Sequence, residues 1–204
     1  MRNLTIVTID RLLSQYPTYR ECSIFVETGT YLGDTIIQLA SHFEKLYTIE
    51  ISNVAYVKAR EKSKVRGIRN IKFINNDSVS SLKKLVKRIK QPCIFFLDAH
   101  VTENNTGFTG RGNEDVPLLT ELTIIKNFMY QCVIIIDDYR LFGMPKSIHT
   151  AQADWSNITF DSIKSIIPEQ RIEAIYIDPE YNLNINTRND RLIILLKPML
   201  NPRK

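Results

Sequence analysis

Polar side chains with chemical potential follow several apolar segments of the sequence, at the point where each segment ends. Glu27 ends the segment "SIFVET", and Glu50 ends the segment "KLYTIE". Three later segments run into "NNDS", "FLDAH" and "IIDDY". If these segments are parallel strands, their carboxyl ends share one edge of the sheet, where open α/β sheets bind ligands. Carboxylates and a histidine at that edge could bind hydroxyl groups, hold a divalent cation or transfer a proton.

The elements that must position these side chains alternate between strand-like and helix-like patterns. Seven apolar, β-branched segments predict strands at 23–28, 45–51, 71–75, 93–98, 132–138, 171–178 and 191–197. Helical spacing predicts helices at 34–43, 57–66, 79–90 and 117–129, with a further loop and helix at 153–168. The pattern predicts an α/β fold with a doubly wound, mostly parallel, seven-stranded Rossmann-like sheet and a C-terminal antiparallel hairpin. No linker divides residues 1–204, so we expect one domain.

The composition is typical of a soluble globular protein, with 44% hydrophobic and 24% charged residues. No apolar run approaches the roughly 20 residues of a membrane helix, and the chain does not open with a signal-peptide pattern. Cys22, Cys93 and Cys132 are far apart, which favours buried thiols over a disulfide framework. We therefore expect a cytoplasmic protein without a membrane span.

The formal net charge is +5, and much of the positive charge lies in "VKAREKSKVR" (57–66) and "LKKLVKRIK" (82–90). Both segments predict amphipathic helices. Their inward residues are expected to be Val57, Val65, Leu82, Leu85, Val86 and Ile89. The cations are either solvated helix faces or a surface for an anionic partner, such as nucleic acid or a nucleotide-sugar product.

The loop "ETGTYLG" (27–33) connects the first strand to the first helix. Its glycine spacing does not fit the G-x-G-x-x-G pattern, which disfavours a pyrophosphate cradle and a Rossmann dehydrogenase. Glu50 ends the following strand, close to the spacing at which an acid contacts ribose hydroxyls in dinucleotide folds. The loop is therefore either a tight turn or part of a site for a different nucleotide-like cofactor. A serine hydrolase is also disfavoured, because the G-x-S-x-G pattern is absent.

From about residue 27 to residue 143, the chain resembles class I S-adenosylmethionine (SAM)-dependent methyltransferases. The ordered segments that carry the resemblance are "VETGTYLGDT", "YTIEIS", "NDS", "FFLDAH", "PLLTEL" and "IIIDDYRLFG". They are most similar to sugar O-methyltransferases of the macrocin and novobiocin type, and to related domains in glycan-assembly proteins of bacteria and large DNA viruses. The resemblance implies methyl transfer from SAM to a sugar hydroxyl of a glycan or glycoside, alongside glycosyltransferase domains of the same pathway. For a viral protein, the implied location is the host cytoplasm.

The resemblance also implies roles for individual residues. Glu50 would hold the ribose of SAM, and Asp77 with Ser78 would contact the adenine. The implied contacts to the methionine end lie in the glycine loop, at Glu27, Thr28, Gly29, Tyr31 and Gly33. The implied ligands of Mg²⁺ or Mn²⁺ are Asp98, Asp137 and Asp138.

A sugar hydroxyl needs a base to remove its proton, and His100, two residues after Asp98, is the expected catalytic base. Tyr139 and Arg140 follow the acidic pair and are expected near the acceptor. The irregular segment "HVTENNTGFTGRGNEDV" (100–116) follows the fourth strand. Such long loops are often functional, so we expect residues 101–115 to form a lid that closes over the acceptor.

Three alternatives remain open. A catechol-type small-molecule O-methyltransferase would use the same metal chemistry, and a non-catalytic SAM-binding module would need no intact acid set. A nucleic-acid methyltransferase fits the positive charge, but "LDAH" stands where adenine amino-methyltransferases have Asn/Asp-Pro-Pro-aromatic. A similar "DPEY" (178–181) comes two strands too late, which argues against nucleic acid as a partner.

Overall fold

The computed structural model describes residues 4–101, 110–146, 153–178 and 191–199. The strands are β1 (Ile24–Thr28), β2 (Lys45–Glu50), β3 (Ile71–Asn75), β4 (Cys93–Leu97), β5 (Cys132–Ile136), β6 (Ile172–Ile177) and β7 (Leu192–Leu196). The α-helices are α1 (Ile6–Gln15), α2 (Asp34–Gln38), α3 (Asn53–Val65), α4 (Ser78–Arg88), α5 (Leu118–Ile125) and α6 (Phe160–Ile166). Short 3₁₀ turns lie at Pro17–Glu21, Ala40–His42, Tyr139–Leu141 and Glu169–Arg171. None of these described helices is long and apolar enough to cross a membrane.

The strands form one seven-stranded sheet in the order β3-β2-β1-β4-β5-β7-β6. Strands β1 to β5 pair in parallel, and β7 pairs antiparallel with both β5 and β6. The predicted doubly wound Rossmann-like sheet with an antiparallel C-terminal pair is thus confirmed. The strand order reverses between β1 and β4, so a crevice is expected at their carboxyl ends.

Hydrophobic side chains cover both faces of the sheet. Every residue of β1, β4, β5 and β7 is buried, as expected for strands with helices on both sides. One core cluster includes Leu82 of α4, Leu122 of α5 and Ile163 of α6. The other includes Leu12 of α1 and Ile36 of α2. These layers hold the strand ends in a fixed register, which positions the polar side chains that follow them.

The two basic helices differ in how well their inward faces were predicted. In α4 and the residue after it, Leu82, Leu85 and Ile89 are buried, and Val86 is partly buried as predicted. In α3 the prediction was wrong, because Val57 is 39% exposed and Val65 is 86% exposed.

The buried face of α3 consists instead of Ala55, Ala59 and Ser63. These small residues allow α3 to pack closely on the glycine loop. A Cβ on Gly33 would lie only 2.9 Å from the Cβ of Ala59, so valines would not fit on this face.

The N-terminal helix α1 had no sequence prediction. Thr5 caps it by accepting a hydrogen bond from the backbone N–H of Thr8 at 3.3 Å. Arg11 of α1 forms an ion pair with Asp178, directly after β6, so the helix is joined to the far end of the sheet. The predicted turn between β6 and β7, with most of "DPEY", falls in 179–190 and lies outside the described residues.

Candidate active site

A cavity of about 480 Å³ opens at the carboxyl ends of the parallel strands. Its volume lies within the range of about 300–1,000 Å³ that is usual for small-molecule sites. The predicted site residues that line it are Gly29, Tyr31, Glu50, Asp77, Ser78, Asp98 and His100. Glu27, Thr28 and Gly33 do not line it, although the sequence predicts cofactor contacts for all three.

Gly29 brings the glycine loop into contact with the segment after β4. Its φ is +81°, and a Cβ at this position would lie 2.4 Å from the carbonyl oxygen of Asp98. The close approach of two backbones therefore requires glycine here. Gly29 also lines the cavity, so part of the cavity wall is formed by the backbone of this loop.

Glu50 holds this loop in place from the neighbouring strand. Its Oε2 accepts a hydrogen bond from the backbone N–H of Tyr31 at 2.7 Å, and its Oε1 accepts one from Ser52 at 2.8 Å. Tyr31 has a left-handed backbone with φ 48°, and the bond to Glu50 stabilises this unusual conformation. Each carboxylate oxygen has a second lone pair, so Glu50 can still accept hydrogen bonds from a ligand.

Glu27 and Thr28 support the loop from beneath. Glu27 Oε2 accepts a hydrogen bond from the Thr48 hydroxyl at 2.5 Å, and burial raises the pKa of Glu27 to about 8. The Thr28 hydroxyl donates to Glu121 Oε2 at 3.4 Å. Gly33 stands at the N-cap of α2, where it packs against Ala59. Glu27, Thr28 and Gly33 thus shape the cavity without lining it.

Asp77 combines a structural contact with a position on the cavity wall. Its Oδ1 accepts a hydrogen bond from the backbone N–H of Ser80 at 2.8 Å, which caps α4. A Cβ on Gly112 would lie 3.3 Å from its Oδ2, so the returning end of the 100–116 loop passes close to this carboxylate.

Glu121 of α5 is a buried carboxyl for which the sequence analysis assigned no role. Hydrogen bonds from Ser78 and Thr28 lower its pKa, but burial has the larger effect and raises the pKa to about 7. Its Oε1 has no hydrogen-bond partner among the described residues. A signal was present in the sequence, because helical spacing places this glutamate on the same stripe as the buried Leu118 and Leu122.

Asp98, His100 and Asp138 converge beside the cavity. His100 Nε2 lies 3.3 Å from Asp138 Oδ2, and His100 Nδ1 lies 3.7 Å from Asp98 Oδ1. One ligand atom from each of the three residues lies within 4.8 Å of the other two. Asp98 Oδ1 and Asp138 Oδ2 are buried, and apart from these approaches of the His100 ring neither has a hydrogen-bond partner in the described part of the chain.

Asp137, the other acid of the pair, contacts a different group. Its Oδ1 lies 3.3 Å from Nε of Arg191, and both side chains are almost fully buried. Arg191 directly precedes β7, and it reaches Asp137 because Leu192 pairs with Ile136 across the antiparallel strands. No local sequence signal could show this contact. The structure thus groups His100 with Asp98 and Asp138, whereas the sequence analysis grouped Asp137 with them.

The backbone after β5 is also unusual. Asp138 has a left-handed conformation, with φ 58° and ψ 33°, at the start of the turn Tyr139–Leu141. Asp138 and Tyr31 are the two non-glycine residues with positive φ in the described ranges. Tyr31 lines the cavity, and Asp138 belongs to the cluster beside it. Such conformations concentrate at functional sites, where the surrounding structure maintains them. Arg140 Nη1 lies 2.6 Å from Asp138 Oδ1, which places Arg140 in this group as well.

Burial lowers the pKa of His100 most strongly, while the Asp138 carboxylate raises it and Arg140 lowers it. The net direction is downward, which favours a neutral imidazole that can accept a proton. Burial and the neighbouring Asp137 and Asp138 raise the pKa of Asp98. The His100 ring packs edge-on against Trp155, with ring centroids 5.4 Å apart. Trp155 was not predicted as part of the site.

The base of the predicted lid is closed by a backbone hydrogen bond. The N–H of Val101 donates to the carbonyl of Asp115 at 2.8 Å. Gly110 packs closely on Ile51, since a Cβ there would lie 2.5 Å from Ile51 Cγ2. Residues 102–109 lie outside the described residues, so the lid over 101–115 stays a prediction.

No protein-family model matches the sequence, and no sequence among the curated proteins matches it. Solved structures do resemble it. A protein assigned as a caffeoyl-CoA O-methyltransferase from Staphylococcus aureus has a TM-score of 0.62 and 16% identity, covering 96% of this chain and 85% of that one. The O-methyltransferase TomG from Streptomyces achromogenes, involved in tomaymycin synthesis and solved with SAM, has a TM-score of 0.59 and 14% identity, covering 96% and 82%.

An rRNA methylase from Streptococcus thermophilus has a TM-score of 0.51 and 16% identity, covering 93% of this chain and 96% of that one. At these identities the likeness concerns the fold. The chain therefore has the fold of class I SAM-dependent methyltransferases, and its chemistry must be argued from its own residues.

Proposed function

We propose that this protein is a SAM-dependent O-methyltransferase that acts on a sugar hydroxyl with the help of a divalent cation. The observation that carries the proposal is the convergence of Asp98, His100 and Asp138 beside a glycine-walled cavity. In this proposal residues 1–204 act as one domain, because a single sheet joins both core clusters.

The cavity suits SAM in three respects. Gly29 lines the cavity, where the methionine end can lie against the loop backbone. Glu50 and Asp77 each line the cavity and retain acceptor capacity, which suits ribose hydroxyls and the adenine amino group. The methyl group would then face the segment after β4, where Asp98 and His100 lie.

The carboxylates of Asp98 and Asp138, where the methyl acceptor would bind, also suit a hard cation. The buried oxygens Asp98 Oδ1 and Asp138 Oδ2 are approached by the His100 ring but accept no well-aligned hydrogen bond from the described residues. Such oxygen ligands suit Mg²⁺ or Mn²⁺. When bound there, a divalent ion would lower the pKa of an acceptor hydroxyl and orient it. Asp137 would join these ligands by sharing its carboxylate between the ion and Arg191, which lies 3.3 Å from its Oδ1.

His100 is the proposed base. A neutral imidazole can remove the hydroxyl proton as the acceptor oxygen bonds to the methyl carbon and the carbon–sulfur bond breaks. Asp138 lies 3.3 Å from His100 Nε2 and would stabilise the imidazolium that forms. Arg140, which contacts Asp138, lies close enough to this group to help position the acceptor.

A catechol-type small molecule is the second candidate acceptor. Neighbouring hydroxyls of either a sugar or a catechol could use the same two carboxylates and the same base. The likeness to a protein assigned as a caffeoyl-CoA O-methyltransferase supports this alternative.

The test is methyl transfer from labelled SAM to a panel of deoxyhexose glycosides and catechols, after exhaustive chelation and after Mg²⁺ or Mn²⁺ is restored. We expect transfer to sugars with vicinal hydroxyls, lost on chelation and recovered with the ion. Full activity without metal would remove the cation from the proposal. Transfer to catechols alone would replace the sugar by the second candidate.

A further inference from the structure

The positive charge of the molecule is concentrated at one edge of the sheet. Residues 53–90, which include α3, β3 and α4, contain 12 of the 27 Lys and Arg residues but only 2 of the 22 Asp and Glu residues. The rest of the chain contains 15 basic and 20 acidic residues, so its net charge has the opposite sign. We call this segment the basic edge. Its cations are Lys58, Arg60, Lys62, Lys64, Arg66, Arg69, Lys72, Lys83, Lys84, Lys87, Arg88 and Lys90.

The cations of the basic edge face solvent. Eleven of the 12 are exposed, and the remaining one, Lys62, forms an ion pair with Asp34. The two acids of the segment offer little compensation, since Glu61 is exposed and Asp77 caps α4. Because β3 is the outermost strand on this side, the helices that precede and follow it also lie towards this edge of the sheet.

Only some of these cations have positions in which they stabilise a helix or protect the edge strand. Lys62, Lys64, Lys87 and Arg88 lie in the last turns of their helices, where cations interact favourably with the helix dipole. Lys72 stands on an edge strand, where a lysine discourages pairing with another chain. Arg66 is the C-cap residue of α3 and shares the first kind of position. The other six cations lie in neither kind of position, and the mutual repulsion of so many like charges costs stability.

The basic edge also reaches the candidate active site. Lys83 of α4 lines the cavity together with Asp77 and Ser80 from the start of the same helix. A chain of anionic groups that follows the edge would therefore arrive at the cavity mouth. This continuity links the surface to substrate binding rather than to solubility alone.

We propose that the basic edge binds the phosphate backbone of RNA and presents a ribose hydroxyl to the active site. A dense, one-sided set of Lys and Arg is the electrostatic footprint of nucleic-acid binding. RNA combines such a backbone with sugar hydroxyls, which are the acceptor groups of the proposed function. The motif argument against nucleic acid applies to amino groups of adenine and does not concern ribose oxygens.

An anionic membrane surface is the competing partner, because Val54, Val57 and Val65 are exposed on α3. Helices that lie in a membrane interface usually carry Trp, Phe or Leu on their apolar face. The exposed face of α3 has three valines and no aromatic side chain of that kind, so the phosphate backbone of RNA is the better match.

The binding test compares two variants with equal changes in charge. One changes the basic edge (Lys64→Glu, Lys84→Glu and Lys87→Glu), and the control changes exposed cations elsewhere (Arg20→Glu, Lys164→Glu and Lys197→Glu). Fluorescence anisotropy with a labelled single-stranded RNA should show affinity about tenfold or more weaker for the first variant and near wild type for the control. The slope of log affinity against log salt should fall by about 0.7 for each lost phosphate contact.

Equal weakening in both variants would overturn the proposal, because binding would then follow net charge alone. Tighter binding to phosphatidylserine vesicles or heparin than to RNA at the same salt concentration would also overturn it. Circular dichroism would first establish that both variants are folded.

The role of the surface rests on the proposed methyl transfer, and the two can fail separately. Transfer from SAM to a neutral glycoside, without RNA binding, would overturn the RNA surface and leave the enzyme activity intact. Edge-dependent RNA binding without any SAM-dependent transfer would overturn the activity and support the surface. With both present, RNA should be methylated on ribose, whereas DNA of the same sequence should bind without being methylated there.

Discussion

The carboxylates on the two sides of the candidate active site differ in the hydrogen bonds that they accept. On the side of β1 to β3, Glu50 accepts two backbone hydrogen bonds and Asp77 accepts one. On the side of β4 and β5, Asp98 lines the cavity and Asp138 lies beside it, and their buried Oδ1 and Oδ2 atoms are approached by the His100 ring without a well-aligned hydrogen bond from the described residues. The first side is organised before any ligand binds, whereas the second retains acceptor oxygens that are incompletely satisfied.

This difference has an energetic meaning. Each buried acceptor without a partner costs about 1–3 kcal/mol, and a ligand that satisfies it recovers that energy. The β4–β5 side is therefore the place where a cation or an acceptor hydroxyl gains most by binding. The β1–β3 side, with its carboxylates already bonded, is better suited to hold a cofactor in one fixed position.

The largest expected effect is on catalysis from the β4–β5 side. His100→Ala should lower the rate of methyl transfer by about 10²–10⁴-fold, because the proposed base is lost. SAM affinity, measured by calorimetry, should change little. His42→Ala is the control, since His42 is exposed and lies outside the cavity lining. A small effect of His100→Ala would assign the base to one of the aspartates.

Substitutions of the two adjacent aspartates should separate activity from stability. Asp138→Asn should nearly abolish transfer with a small change in melting temperature. Asp137→Asn should destabilise the fold by roughly 3 kcal/mol, because it weakens a buried contact with Arg191. Denaturant unfolding and rate measurements on both variants would test this. Similar profiles for the two would show that both acids act as one ligand pair.

Gly29→Ala should disturb the contact between the two sides. The added Cβ would collide with the carbonyl of Asp98 at 2.4 Å, which should cost about 1–3 kcal/mol beyond the backbone strain. Gly67→Ala isolates the strain, because Gly67 also has positive φ, 69°, but a Cβ there meets nothing within 4 Å. Equal destabilisation in thermal unfolding would contradict the close approach at Gly29.

Glu50→Ala should act on the cofactor without acting on the acceptor. Loss of the carboxylate frees the N–H groups of Tyr31 and Ser52, and SAM affinity should weaken by roughly 1–3 kcal/mol. Calorimetry with SAM is the measurement, and Glu44→Ala, at an exposed position, is the control. Unchanged affinity would remove Glu50 from the cofactor site.

The last expected effect concerns the dependence of stability on pH. Burial raises the pKa of Glu121 to about 7 from an ordinary value of 4.5, so the folded state holds this proton more tightly than the unfolded state. The resulting stabilisation is complete below the unfolded-state pKa and is lost as pH rises through about 7. Glu121→Gln should therefore reduce the fall in unfolding free energy across this interval. Glu61→Gln, on the exposed face of α3, should leave the fall unchanged.

The order and type of most elements followed from local pattern. The predicted strand at 71–75 matches β3 at both ends, and the other six strands agree within two residues. Continuous apolar runs identify buried strands because both faces of a parallel sheet are covered. The inward face of α3 could not be predicted in this way. Ala55 and Ala59 are inward because Gly33 and its loop lie so close, and that distance depends on the folded chain.

The sequence by itself determined the alternating strands and helices, and with them the edge at which Glu50, Asp77 and Asp98 would meet. A parallel sheet brings its carboxyl ends to one side whatever the detailed packing. Only the tertiary structure decided which neighbours these groups have. The pairing of β7 with β5 brings Arg191 into contact with Asp137, whereas His100 lies between Asp98 and Asp138. Such contacts join residues far apart in the chain, so no local pattern encodes them.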